Sequence, residues 1–77
     1  MIRFYLHEMI AERKFKTGKK VTLEMIAKET GVSKVTLSRI NSQRGYNTTT
    51  DNIDKLCAYF GCSVAQLIEH VAGDEVE

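Results

Sequence analysis

No run of apolar residues in this 77-residue chain approaches the ~18 needed to cross a bilayer. Arg3, His7 and Glu8 interrupt the one N-terminal candidate for a signal peptide, so the expected location is the cytoplasm. Cysteine is scarce. Cys57 and Cys62 are separated by four residues, with no second pair and no nearby histidine cluster, which falls short of zinc-site spacing. Cys57 continues the apolar stripe Ile53, Leu56, Cys57 and Phe60, so the expectation is a reduced core thiol with no metal and no other cofactor. His7 and His70 have no evident catalytic partner and read as surface or helix-end residues. There is no Ser/His/Asp arrangement, no phosphate-loop glycine pattern and no paired-carboxylate motif. The chain is therefore not expected to be an enzyme, and no small-molecule ligand is evident.

What is present is the composition of one small folded unit. Charged residues at 27% and hydrophobic residues at 43% are ordinary for a globular chain rather than a disordered one. A chain of this size buries roughly 60 to 65% of its unfolded surface, enough for one core. No repeat, low-complexity tract or long linker divides it. A single domain is expected over residues 1–72, with 73–77 an acidic, frayed C-terminal tail.

The segment TLEMIAKETGVSKVTLSRI, Thr22 to Ile40, carries the most information. Leu23, Ile26, Ala27 and Thr30 form one stripe of a helix, and Gly31 can take the left-handed conformation that ends it. Val32 fills the corner. Ser33 is a good N-cap for a second helix whose Leu37 and Ile40 face inward together. Two helices joined this tightly must cross steeply, as in a helix-turn-helix, where the second helix stands clear of the surface and can enter a DNA major groove. At ~100° per residue, Val35, Ser38, Arg39 and Ser42 point away from Leu37 and Ile40. That face suits base edges: arginine bonds guanine, serine bonds several bases, and a valine methyl touches a thymine methyl. The bland alternative is an ordinary solvated face with one stray valine.

The net charge of +1 is weak support for a nucleic-acid partner, but the charges are segregated. Residues 13–44 hold nine cations against two acids, +7, while the rest of the chain sums to −6. A phosphate backbone responds to the local field, so this block is the expected electrostatic footprint.

Five helices are expected in all. The first spans about Ile2 to Phe15 with Ile2, Leu6, Met9 and Ile10 inward; a weaker alternative makes Ile2, Phe4 and Leu6 a period-two strand that pairs with another subunit. Asn41 to Thr50 is a polar loop with Gly45. The fourth helix starts near Thr49 or Thr50, buries Ile53, Leu56, Cys57 and Phe60, and stops at Gly61. Ser63 and Gln66 make a capping-box pattern for a fifth helix that buries Val64, Leu67, Ile68 and Val71. The loop residues Arg44, Tyr46, Asn47, Thr48 and Thr49 lead into a helix N-terminus and suit phosphate; equally, Tyr46 can pack against the core in a capped polar loop.

These residues resemble the Cro/C1-type (XRE-type) helix-turn-helix regulators from about residue 2 to 71. Ala27, Gly31, Val32, Ser33, Leu37 and Ile40 sit where that family has its packing alanine, turn glycine, turn apolar residue, recognition-helix cap and two buried anchors. The run RGYNTTTDNIDKLCAYFGCSVAQLIEHV is similar to the small one-domain branch. The resemblance implies an all-α, compact five-helix bundle with a central helix-turn-helix formed by helices two and three. It makes Ser33, Lys34, Val35, Thr36, Ser38 and Arg39 the base-reading candidates and Thr22, Arg44, Tyr46, Asn47 and Thr48 phosphate contacts. Many relatives open the first motif helix with a glutamine that braces the DNA backbone; here that place is Leu23, leaving Lys20 and Thr22 as the nearer phosphate candidates.

The expected function is sequence-specific binding of double-stranded DNA by a small transcriptional regulator, nucleoid-associated when bound, its recognition helix of about Ser33–Asn41 in the major groove. A homodimer on a pseudo-palindromic site follows from the small size of one half-site, with helix five or the N-terminal segment as the dimer surface. Two other functions compete. One is a protein-interaction module, such as an antitoxin or accessory factor on the same fold. The other is single-stranded RNA binding, but its stacking candidates Tyr5, Phe15, Tyr46 and Tyr59 do not cluster.

Overall fold

The computed structural model describes residues 1–43 and 45–72. Its elements run β1 (Ile2–Phe4), α1 (Leu6–Thr17), α2 (Leu23–Thr30), α3 (Lys34–Ser42), α4 (Thr50–Phe60), α5 (Val64–Leu67) and β2 (Ile68–His70). The chain is mainly helical, as expected, and the five helices enclose a single core. Leu6 and Ile10 of α1, Ile26 of α2, Leu37 and Ile40 of α3, Leu56 of α4 and Leu67 of α5 meet there with Val21 and Val32. Every helix contributes an apolar stripe at three- or four-residue spacing or a single anchor, so no helix is stable apart from the others. Among the described residues no polar side chain is buried, and the core is purely apolar.

The termini depart from expectation. The first helix begins at Leu6, because Ile2–Phe4 form an antiparallel ribbon with Ile68–His70 in the register Ile2 opposite His70, Arg3 opposite Glu69 and Phe4 opposite Ile68. Flanking bonds extend the pairing. Tyr5 N–H donates to the Leu67 carbonyl at 2.8 Å, Val71 N–H to the Met1 carbonyl at 2.8 Å, and the Met1 ammonium to the Val71 carbonyl at 3.0 Å. The strand alternative thus describes Ile2–Phe4, but their partner is the chain's own C-terminal segment and not a second subunit.

The same ribbon shortens the fifth helix to one turn. Ser63 N–H donates to Gln66 Oε1 at 2.9 Å, completing one arm of the expected capping box, yet only Leu67 of the four expected core residues is buried. Val64 is exposed, Ile68 lies half-buried on β2, and Val71 is half-buried beyond it. Strand pairing satisfies the backbone groups a further helical turn would have satisfied, and β-branched isoleucine and valine sit easily in extended chain. In α4 only Leu56 is fully buried; Ile53, Cys57 and Phe60 are half-buried at the rim of the small core.

Arg13 has a structural partner. Its Nη1 donates to the Tyr59 carbonyl at 2.8 Å, and its guanidinium lies 4.4 Å from the Tyr59 ring centroid and 5.9 Å from that of Phe60. It holds the end of α4 against α1, and a cation there also suits a helix C-terminus. One of the nine cations of the basic block therefore faces protein rather than open solvent.

Candidate nucleic-acid interface

The corner between α2 and α3 is fixed by local bonds. Thr22 caps α2, its Oγ1 accepting from Met25 N–H at 3.1 Å. Gly31 ends the helix at φ 82°, a conformation that glycine adopts without steric cost, and its N–H donates to the Ala27 carbonyl at 2.9 Å. Thr30 ties the turn from both sides: Oγ1 donates to the Ile26 carbonyl at 2.7 Å and accepts from Val32 N–H at 3.1 Å. Val32 is buried. Ser33 then caps α3, its Oγ accepting from Thr36 N–H at 3.1 Å while donating to Thr36 Oγ1 at 2.9 Å. Leu37 and Ile40 clamp α3 from below.

With that face anchored, the opposite one is free. Val35 is 59% exposed, and Lys34, Ser38 and Arg39 are exposed around it. Among the described residues the Arg39 side chain makes no hydrogen bond or ion pair. Ser42 bonds back to the Ser38 carbonyl at 2.8 Å. Asn41, also exposed, lies closer to Leu37 around the helix and lines a groove with Met1, Ile2, Arg3 and Phe4 instead of joining the Val35 face. The first turn of α3 has no acidic residue, whereas those of α2 and α4 carry Glu24 and Asp51, so the positive end of the α3 dipole is unopposed locally.

The expected base readers differ in what chemistry remains to them. Both the donor and one acceptor site of the Ser33 hydroxyl are engaged in the cap, while Thr36, half-buried, keeps its own O–H free to donate. Lys34, Val35, Ser38 and Arg39 have exposed side chains.

Of the expected phosphate contacts, Lys20 and Asn47 are exposed and Thr22, Tyr46 and Thr48 are half-buried. Tyr46 packs against the core, and its N–H donates to the Gln43 carbonyl at 3.3 Å. Thr48 Oγ1 accepts from Asn52 Nδ2 at 3.0 Å, and Thr49 caps α4 by accepting from Asn52 N–H at 3.1 Å. Thr22 and Thr48 act as acceptors in these bonds, so each retains an O–H that can donate to a phosphate oxygen. Arg44 lies outside the described residues. Leu23 is half-buried against the core, in keeping with an apolar role in place of a polar brace.

A family model for the Cro/C1-type helix-turn-helix DNA-binding domain matches residues 5–73. The chain belongs to this family. No curated protein matches it, and no solved structure does. This family is a non-enzymatic one, and membership in it supports DNA binding and a part in transcription regulation. No described helix is long and apolar enough to cross a membrane.

The ends of this Cro/C1-type domain carry a second polar group, on the ribbon. The Tyr5 hydroxyl donates to a Glu69 carboxylate oxygen, and the Arg3 guanidinium lies 4.8 Å from the Tyr5 ring centroid. The bond to Glu69 holds the phenol above its ordinary pKa. This cluster links β1 to β2.

Proposed function

We propose that this domain is a small transcriptional regulator that reads a specific duplex sequence by setting α3 in the major groove. The observation that carries the reading is the outward face of α3, where a 59% exposed valine stands beside free Ser38 and Arg39 while Leu37 and Ile40 hold the helix from the opposite side. Lys34, Val35, Thr36, Ser38 and Arg39 touch base edges; Ser33 serves chiefly as the cap that aims them. Lys20, Thr22, Arg44, Tyr46, Asn47 and Thr48 hold the phosphates, giving position without sequence information.

Residues 1–72 act as one unit, and the protein works in the cytoplasm, on the nucleoid. Two copies bind together on a pseudo-palindromic site, with half-sites roughly 34 to 36 Å apart. The ribbon and α5 form the dimer surface, supported by the exposed apolar side chains of Met1, Ile2 and Val64 there. Selection of preferred duplexes from a random pool at stated salt tests binding and symmetry together. A single inverted-repeat motif is the expected result; recovery of no motif overturns sequence-specific reading. The protein-interaction alternative draws on Phe15, 85% exposed on α1, and predicts a co-purifying protein with no protected DNA.

Arg44→Ala should weaken binding to all duplexes alike and reduce the slope of log affinity against log salt by about 1. Titrations on preferred and random DNA at several salt concentrations check this.

A further inference from the structure

We propose that Cys57 and Cys62 form a thiol-oxidation site, closing an intramolecular disulfide across the C-terminal cap of α4 when a small neutral peroxide reaches Cys62 through the cleft beside α1. Two independent features of the fold carry this: the geometry of the cap and the position of the cleft.

The cap brings the two residues together. Gly61 at φ 64° reverses the chain after α4, and the N–H groups of Gly61 and Cys62 both donate to the Cys57 carbonyl, that of Cys62 at 3.1 Å. In helices ended this way, the residue that accepts the six-to-one bond and the residue that donates it usually make an apolar contact. Here both are cysteines, each unbridged and half-buried against the core. The reversal brings their backbones into direct hydrogen-bond contact within a single turn, the kind of close approach that a disulfide needs. Burial pushes the Cys57 thiol above its ordinary pKa, and the neighbouring Cys62 thiol pushes it further.

The two thiols differ in their access to a cleft. It has a volume of about 510 Å³ between α1 and the α4–α5 junction, and Cys62 and Gly61 form part of its wall while Cys57 does not. Arg13 and Lys16 line it with Glu8 and Glu12, a mixed wall that repels neither sign and admits a small uncharged oxidant. Cys62, on the cleft wall, is therefore the thiol oxidised first, and Cys57, off that wall, the one that resolves.

The chemistry closes without another reagent. The Cys62 thiolate attacks one peroxide oxygen, the O–O bond breaks, and the second oxygen leaves and is protonated to water. Cys57 loses its proton as its sulfur attacks the resulting sulfenic acid; the S–O bond breaks, the S–S bond forms, and the expelled hydroxide becomes a second water. Two thiols are oxidised by two electrons, and the peroxide is reduced to two molecules of water.

Titration of the purified full chain with hydrogen peroxide, followed by intact mass and free-thiol count, tests the site. The expected product is a monomer that has lost two hydrogens and both free thiols, restored by dithiothreitol. C57S should accumulate a sulfenic acid on Cys62 that dimedone traps, and C62S should consume peroxide at least tenfold more slowly than wild type. Wild-type protein that yields only intermolecular disulfides, or sulfinic and sulfonic acids with no bridge, overturns the proposal. Equal rates for C57S and C62S overturn the route through Cys62.

Discussion

The α2–α3 corner and the terminal ribbon are built on opposite principles. In the corner, every bond that sets the crossing joins residues no more than four apart: Thr22 to Met25, Thr30 to Ile26, Gly31 to Ala27, Ser33 to Thr36. In the ribbon, Met1 bonds Val71 and Tyr5 bonds Glu69 across nearly the whole chain. The corner is a local device that presents a surface, whereas the ribbon fastens the two ends of the domain. A local device can be altered at one face without disturbing the other, and a fastening acts on the whole molecule.

Substitutions at four positions test that contrast, taken from the largest expected effect to the smallest. Leu37→Ala removes the fully buried anchor beneath α3 and should cost about 2 to 5 kcal/mol of stability, read by thermal or denaturant unfolding. An unchanged melt would show that the inward face of the corner is not held by the core. Arg39→Ala, on the outward face, should leave the melt unchanged and weaken binding to the preferred duplex by about 1 to 3 kcal/mol, with a far smaller loss on random DNA. Equal losses on both kinds of duplex would end the division between reading and holding residues. Ser33→Ala removes the α3 cap and should cost about 1 kcal/mol of stability, with Ser33→Gly costing less.

Tyr5→Phe should have the smallest effect on stability at neutral pH, because the bond to Glu69 is exposed, and it sharpens the comparison through its pH dependence. The folded-state phenol pKa is raised above the ordinary value of about 10, so its stabilising contribution is complete below that value and is lost as pH rises through the folded pKa. Wild type should therefore lose stability in that alkaline window relative to Tyr5→Phe. Parallel melting curves for the two proteins across the window would remove Tyr5 from the fastening.

The difference in principle also explains which parts are legible in the sequence. Gly31, Ser33 and Gly61 announce their roles because left-handed glycine and hydroxyl caps act within a turn. The buried pair Leu37 and Ile40 follows from helical spacing, and with it the outward face of α3. The ribbon is hidden because Ile2, Leu6, Met9 and Ile10 fit a helical stripe as well as Ile2 and Phe4 fit a strand, and the deciding partner lies at residues 68–70. Arg13 reads as one more cation of a basic block, since nothing nearby in sequence signals a carbonyl and a tyrosine ring at Tyr59, 46 positions away. The hydroxyls of Ser33, Thr22 and Thr48 look equally free in the sequence, and their bonds within the chain distinguish a filled group from one with a donor to spare.

The order of residues determined the helix-turn-helix, the side of α3 that faces inward and the family to which the chain belongs, because caps, turn glycines and three- to four-residue stripes are short-range physics. Folding in three dimensions settled where α1 begins, that α5 is a single turn, how the ends are joined and which cation braces α4. Those outcomes turned on competition between backbone partners distant along the chain, and a strand pairing prevails over a helical turn only once the core has brought the two ends together.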